Sequence, residues 1–207
     1  MEITQDINVK AIVEEGITKS MSYQDYRALV AKLAEEDGTT GPNQTEALIE
    51  YTKLNDRRMK RWDKTLKISE EAQSKIASYE NPMTWLVLTE SWCGDAAHVM
   101  PAISKVAEQN ENIDFKVVLR DENEALMDAF LTNGGRAIPK LILLDKATNE
   151  VIDTFGPRPS TATQMVVDYK TEHGQLTPEF KEGLQRWYNK DKGQTVVSDL
   201  ANLLTSK

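Results

Sequence analysis

Residues 85–96 read Trp85-Leu86-Val87-Leu88-Thr89-Glu90-Ser91-Trp92-Cys93-Gly94-Asp95-Ala96 and contain the only cysteine of the chain. The short apolar run from Thr84 to Thr89 predicts a buried strand. From Asp95 to Gln109, Ala96, Val99, Met100, Ile103 and Ala107 fall at helical core spacing and predict a helix. Pro101 lies inside that helix and should kink it. Cys93 thus stands at a strand-to-helix turn, where unpaired backbone N–H groups and the helix dipole favour a thiolate. This is the setting of a nucleophilic or redox cysteine.

Downstream, Ile113-Asp114-Phe115-Lys116-Val117 alternates as a strand does and should continue to Leu119. Glu122 to Thr132 reads as a helix stopped by Gly134-Gly135. Lys140 to Leu144 and Val151 to Phe155 read as strands joined by a turn over residues 145–149, the second stopped by Gly156-Pro157. Thr161 to His173 reads as a helix, with Thr161 and Gln164 at capping-box spacing. Helices from Pro178 to Asn189 and from Thr195 to Leu204 follow. Upstream, Ser22 and Asp25 mark a helix start, with the helix running to about Glu36. Residues 37–42 are turn formers. Further helices are expected from Gln44 to Leu66 and from Ser69 to Tyr79, before Asn81-Pro82 ends the run.

These elements predict an α/β fold with three regions: a helical N-terminal extension over 1–81, an α/β unit over 82–174 and a C-terminal helical extension over 175–207. Within the unit the order β-α-β-α-β-β-α implies a mixed sheet. The first two strands pair in parallel through a crossover helix, and the last two form an antiparallel hairpin.

Composition narrows the function classes. Of 207 residues, 40% are hydrophobic and 28% charged, the balance of a soluble globular protein. No apolar run reaches the roughly 18 residues of a membrane span, and the N-terminus has no secretory pattern. One cysteine excludes an intrachain disulfide, so a reducing, cytoplasmic setting is expected. A net charge of −8 disfavours nucleic-acid binding. Residues 53–67 run against that average, with Lys53, Arg57, Arg58, Lys60, Arg61, Lys64 and Lys67. They read as a solvated helix face or, more sharply, as a patch for an anionic partner. Cys93, His98 and His173 include no close ligand pair, so no metal is expected, and no cofactor motif is present. His98 reads as a surface or partly buried residue that could tune the thiol if it reached back. Trp85 reads as core, and Trp62 and Trp187 as packing anchors between the extensions and the α/β unit.

The order of elements, with Trp92-Cys93-Gly94 after the first strand, resembles the thioredoxin fold: a mixed central sheet flanked by helices. Pro101 matches the kinking proline of that family's active-site helix. Ile138-Pro139, just before Leu141-Ile142-Leu143-Leu144, matches its cis-proline, and Gly156 its glycine after the next strand. The resemblance covers about residues 80–173. Two departures go together. The family's second cysteine is Ala96 here, and the buried acid that serves that thiol is Val87. The nearest pattern is the monothiol Trp-Cys-Gly-Asp-Ala group of bacterial thioredoxin-like proteins.

The resemblance implies Cys93 as the catalytic residue, with Trp92, Gly94, Asp95, Ile138 and Pro139 contacting substrate. Residue 138 would pair with a substrate chain whose disulfide meets Cys93. Asp95 has two readings, a helix-start residue or a carboxylate that raises the thiol's pKa. Without a second cysteine, an external thiol must resolve any mixed disulfide. The leading expectation is therefore monothiol thiol–disulfide exchange on protein or low-molecular-weight mixed disulfides. The alternative is a non-catalytic binding or adaptor module, with Cys93 as a small buried apolar residue. Substrate, reductant and oligomeric state are not written in the sequence, nor is whether the helical lead covers or frames the site.

Overall fold

The computed structural model describes residues 2–206, with side chains from Val9 to Ser206. Four helices lead the chain: α1 (Glu2–Thr18), α2 (Tyr23–Glu35), α3 (Glu46–Thr65) and α4 (Glu70–Ala77). The α/β unit follows as β1 (Met83–Thr89), α5 (Ala96–Ala107), β2 (Ile113–Leu119), α6 (Glu124–Ala129), β3 (Lys140–Asp145), β4 (Val151–Phe155) and α7 (Ser160–His173). Two more helices follow it, α8 (Pro178–Asp191) and α9 (Gln194–Thr205).

The sheet order is β2-β1-β3-β4. β1 pairs in parallel with β2 and antiparallel with β3, and β3 with β4 forms the expected antiparallel hairpin. All seven residues of β1 are buried, because helices cover both faces of this internal strand. Val87 pairs with Val117 on one side and Leu141 on the other, so the position of the family's buried acid is here dry apolar core. Trp85 is fully buried. Each large apolar side chain so buried contributes about 1.5–3 kcal/mol.

The helix starts at Ser22, Thr45 and Ser69 are real caps: each side chain accepts the backbone N–H three residues on. Two expectations are corrected, and the helical lead expected over 1–81 contains a helix, α1, that had not been delimited. Its β-branched residues and Gly16 make a weak helical signal, and it is held by packing instead. Val13 is fully buried, and a Cβ at Gly16 would lie 2.7 Å from Leu126 Cδ2, so glycine allows close approach to α6. The helix expected over residues 122–132 is broken at Asn123. Its amide donates to Leu119 O at 2.8 Å and its backbone leaves the helical region, a side-chain competition typical of Asn. The capping box at Thr161 and Gln164 does not form. Ser160 at the start of α7 bonds through its N–H and hydroxyl to Asp199 on α9, and Gln164 turns forward to Asp168.

The segment between α1 and α2 also touches the sheet. Met21 exchanges two backbone hydrogen bonds with Val117, at 2.8 and 2.9 Å, adding a one-residue bridge to the outer edge of β2.

Candidate active site

Strand β1 delivers the chain to a turn, Glu90-Ser91-Trp92-Cys93, that the helical lead fastens from behind. Ser91 is buried among the hydroxyls of Thr39, Thr40 and Thr52, with Oγ–Oγ1 separations of 3.1, 3.1 and 2.8 Å. Its N–H donates to Thr40 Oγ1, and its carbonyl accepts from Asn55 Nδ2 on α3. Glu90 is buried, and its Oε1 accepts the N–H of Asp121 at 2.8 Å. Trp92 is half-buried, with the Arg120 guanidinium 4.8 Å from its ring centre.

Cys93 is only 9% exposed. Its thiol donates to the Ile138 carbonyl at 3.3 Å and its sulfur accepts the Ala96 N–H at 3.4 Å. The Ile138–Pro139 bond is cis. Gly156 has a φ of +104°, and a Cβ there would lie 2.3 Å from Pro139 O; glycine is therefore required to let this carbonyl run pass. Burial, then the Asp95 carboxylate, push the thiol up to about 12, against the backbone N–H groups of Ala96 and Asp95 and the Arg158 charge. The helix N-terminus does act on the sulfur, but desolvation and a neighbouring anion outweigh it. The resting thiol is neutral.

Asp95 is the N-cap of α5 but makes no capping hydrogen bond. Its carboxylate instead accepts Arg158 at 2.6 Å and the Tyr188 hydroxyl at 3.0 Å. Asp95 therefore stands at the helix start without a capping bond and is also a charge beside the thiol. His98 is buried, correcting its placement at or near the surface. Its Nδ1 accepts from Trp62 Nε1 at 3.0 Å, its Nε2 meets Gln185 Oε1 at 2.9 Å, and its ring stacks on Tyr188. Both ring nitrogens are occupied by the extensions, so the histidine does not reach back to Cys93. Burial lowers its pKa to about 4. Trp62 thus ties α3 to α5, and Trp187 packs half-buried on the core.

Helices α3 and α8 stand on either side of the thiol and frame a cleft of about 600 Å³. Its floor is Trp92, Cys93, Gly94 and Asp95, and its walls include Tyr51 and Arg58 from α3, Leu184 and Gln185 from α8, and Arg158. The structure thus gathers four of the six expected site residues along one cleft. Ile138 meets the thiol through its carbonyl, and neither it nor Pro139, both buried, lines the cleft. Sequence reading did not single out Arg158, Tyr188 or Gln185, which come from beyond the cis-proline hairpin. Arg58 was visible only within the basic stretch.

A mixed sheet with one thiol at the end of its internal strand, before a proline-containing helix and beside a cis-proline, defines a thioredoxin-fold protein with a single active-site-position cysteine. The chain belongs to the thioredoxin family: a family model described as Thioredoxin matches residues 41–173. Among solved structures, the fold is similar to PA1234 from Pseudomonas aeruginosa, a protein of unknown function, at 17% identity and a TM-score of 0.56, covering 74% of this chain and 85% of that one. It is also similar to an HIV epitope-scaffold at 15% identity and a TM-score of 0.53, covering 90% of this chain and 99% of the other. No curated protein matches the sequence.

Proposed function

We propose that this is a monothiol thiol–disulfide exchange protein of the Trp-Cys-Gly-Asp-Ala kind, acting slowly through Cys93 on disulfides that enter the cleft. One observation carries the reading: the sulfur sits between the Ala96 N–H at the start of α5 and the Ile138 carbonyl, in a residue that lines the cleft. Cys93 loses its proton and attacks one sulfur of the incoming disulfide. A new S–S bond forms on Cys93 as the old one breaks, and the departing thiolate takes up the proton. An external thiol then attacks the mixed disulfide and restores Cys93, because position 96 is alanine.

The test is intact mass after incubation with oxidised glutathione over a range of pH. The expected result is a single adduct on Cys93, formed faster as pH rises, absent in Cys93→Ser and removed by added thiol. Absence of any adduct up to about pH 10 would overturn the exchange reading. The second reading, a thioredoxin-fold binding module, is favoured by the neutral, enclosed thiol. It would then stand, with the same cleft as its binding surface.

A further inference from the structure

Arg58 forms no ion pair among the described residues; its Nη1 donates to Asn55 Oδ1 at 3.0 Å. It is half-buried on the cleft wall, whereas its neighbour Arg57 is exposed. Across the cleft, Gln185 is held in one orientation. Trp62 donates to His98 Nδ1, so the neutral ring carries its proton on Nε2 and donates to Gln185 Oε1. This leaves the Gln185 amide NH₂ without a hydrogen-bond partner among the described residues. The two donors converge: a Cβ built on Gly94 would lie 4.0 Å from Arg58 Nη1 and 3.6 Å from Gln185 Nε2. A cation and an amide donor therefore stand over the residue next to Cys93.

The remaining charges facing the cleft are largely spoken for. Asp95 pairs with Arg158 and Glu182 with Arg186, while Lys181 is exposed at the rim. The balance is positive although the chain carries −8. Leu48, Tyr51, Leu176 and Leu184 supply apolar wall. A volume of about 600 Å³ is that of a small-molecule site rather than a groove for a long chain.

We propose that this cleft selects low-molecular-weight disulfides bearing a carboxylate, gripped by Arg58 and the Gln185 amide above Gly94 so that the sulfurs lie over Cys93. The inference rests on the exchange reading and adds the substrate class. The bond changes are those already given; the carboxylate is a handle and does not react.

The test compares three small disulfides on the full-length protein: 3,3′-dithiodipropionate (anionic), 2-hydroxyethyl disulfide (neutral) and cystamine (cationic). Adduct rates are read by intact mass and divided by each variant's rate with neutral iodoacetamide, which removes differences in thiol reactivity. In the wild type the order anionic, neutral, cationic is expected, with the preference weakening as salt is added. Arg58→Met should cut the anionic preference about tenfold, the scale of one charge-assisted hydrogen bond, and Arg58→Lys should keep most of it. Equal normalised rates in the wild type, or a preference that survives in Arg58→Met, would overturn the proposal. If none of the three modifies Cys93, the exchange reading falls by itself. The carboxylate site is then decided by the Trp92 share of the tryptophan fluorescence, taken as wild type minus Trp92→Phe, on titration with 3,3′-thiodipropionate, which has no S–S bond. Saturable quenching lost in Arg58→Met supports the site, and no quenching overturns it.

Discussion

At the scale of single residues, the chemistry turns on the opposition between Cys93 and Asp95. The start of α5 offers the sulfur two backbone N–H groups, yet burial and the carboxylate raise its pKa to about 12. Arg158 partly offsets the carboxylate by pairing with it at 2.6 Å. Asp95→Asn removes the anion and leaves Arg158 facing the thiol, so the thiolate becomes easier to form. Iodoacetamide should then alkylate Cys93 several-fold faster at pH 8. Each unit of lowered pKa gives about ten times more thiolate, offset in part by weaker nucleophilicity. An unchanged or slower rate would remove Asp95 from the account of this thiol. Cys93 and Asp95 were legible because they stand two residues apart in one motif. Arg158 and Tyr188 were not, because their role exists only once elements far apart in sequence have packed together.

At the scale of elements, the turn before Cys93 is positioned by α3 and the segment ahead of it. Ser91 is the joint: its hydroxyl meets three threonine hydroxyls and its carbonyl meets Asn55. Ser91→Ala removes the shared partner and leaves those hydroxyls buried with fewer hydrogen bonds. That should cost about 1–3 kcal/mol, read as a lower urea midpoint with an unchanged slope. A loss below about 0.5 kcal/mol, the range of ordinary surface changes, would show that the joint adds nothing. The strands were legible because β1 and β3 are short apolar runs and β2 alternates, and Ser22 marked its helix start by known side-chain chemistry. Helix α1 was not, since its apolar residues make no clean stripe and its packing on α6 depends on Gly16. Nor could the pattern show that Met21 would bond to the edge of β2.

At the scale of the whole molecule, His98 joins both extensions to the α/β unit, through Trp62 on one side and Gln185 on the other. Burial lowers its pKa from 6.5 to about 4. The unfolded chain therefore binds this proton more readily than the folded one, and the contribution is fully present above pH 6.5 and is lost as pH falls toward 4. Its size is about 3 kcal/mol over that window. Glu90 and Asp95, whose pKa values burial raises, act in the opposite direction, so the comparison must be made against His98→Gln. Urea unfolding should show the wild type losing more stability than the variant between pH 7 and pH 4, and parallel pH profiles would refute the buried neutral ring. The mixed sheet was readable from the order of elements, whereas the seating of α3 and α8 over the thiol was not, because both helices are amphipathic and their pattern does not name the surface they cover. That seating also sets an order in time. Tyr188 follows Asp95 by 93 residues and Gln185 follows His98 by 87. On the ribosome Cys93 is synthesised and its strand can pair well before α8 emerges to enclose it. The open thiol belongs to the growing chain, and the guarded thiol to the finished one.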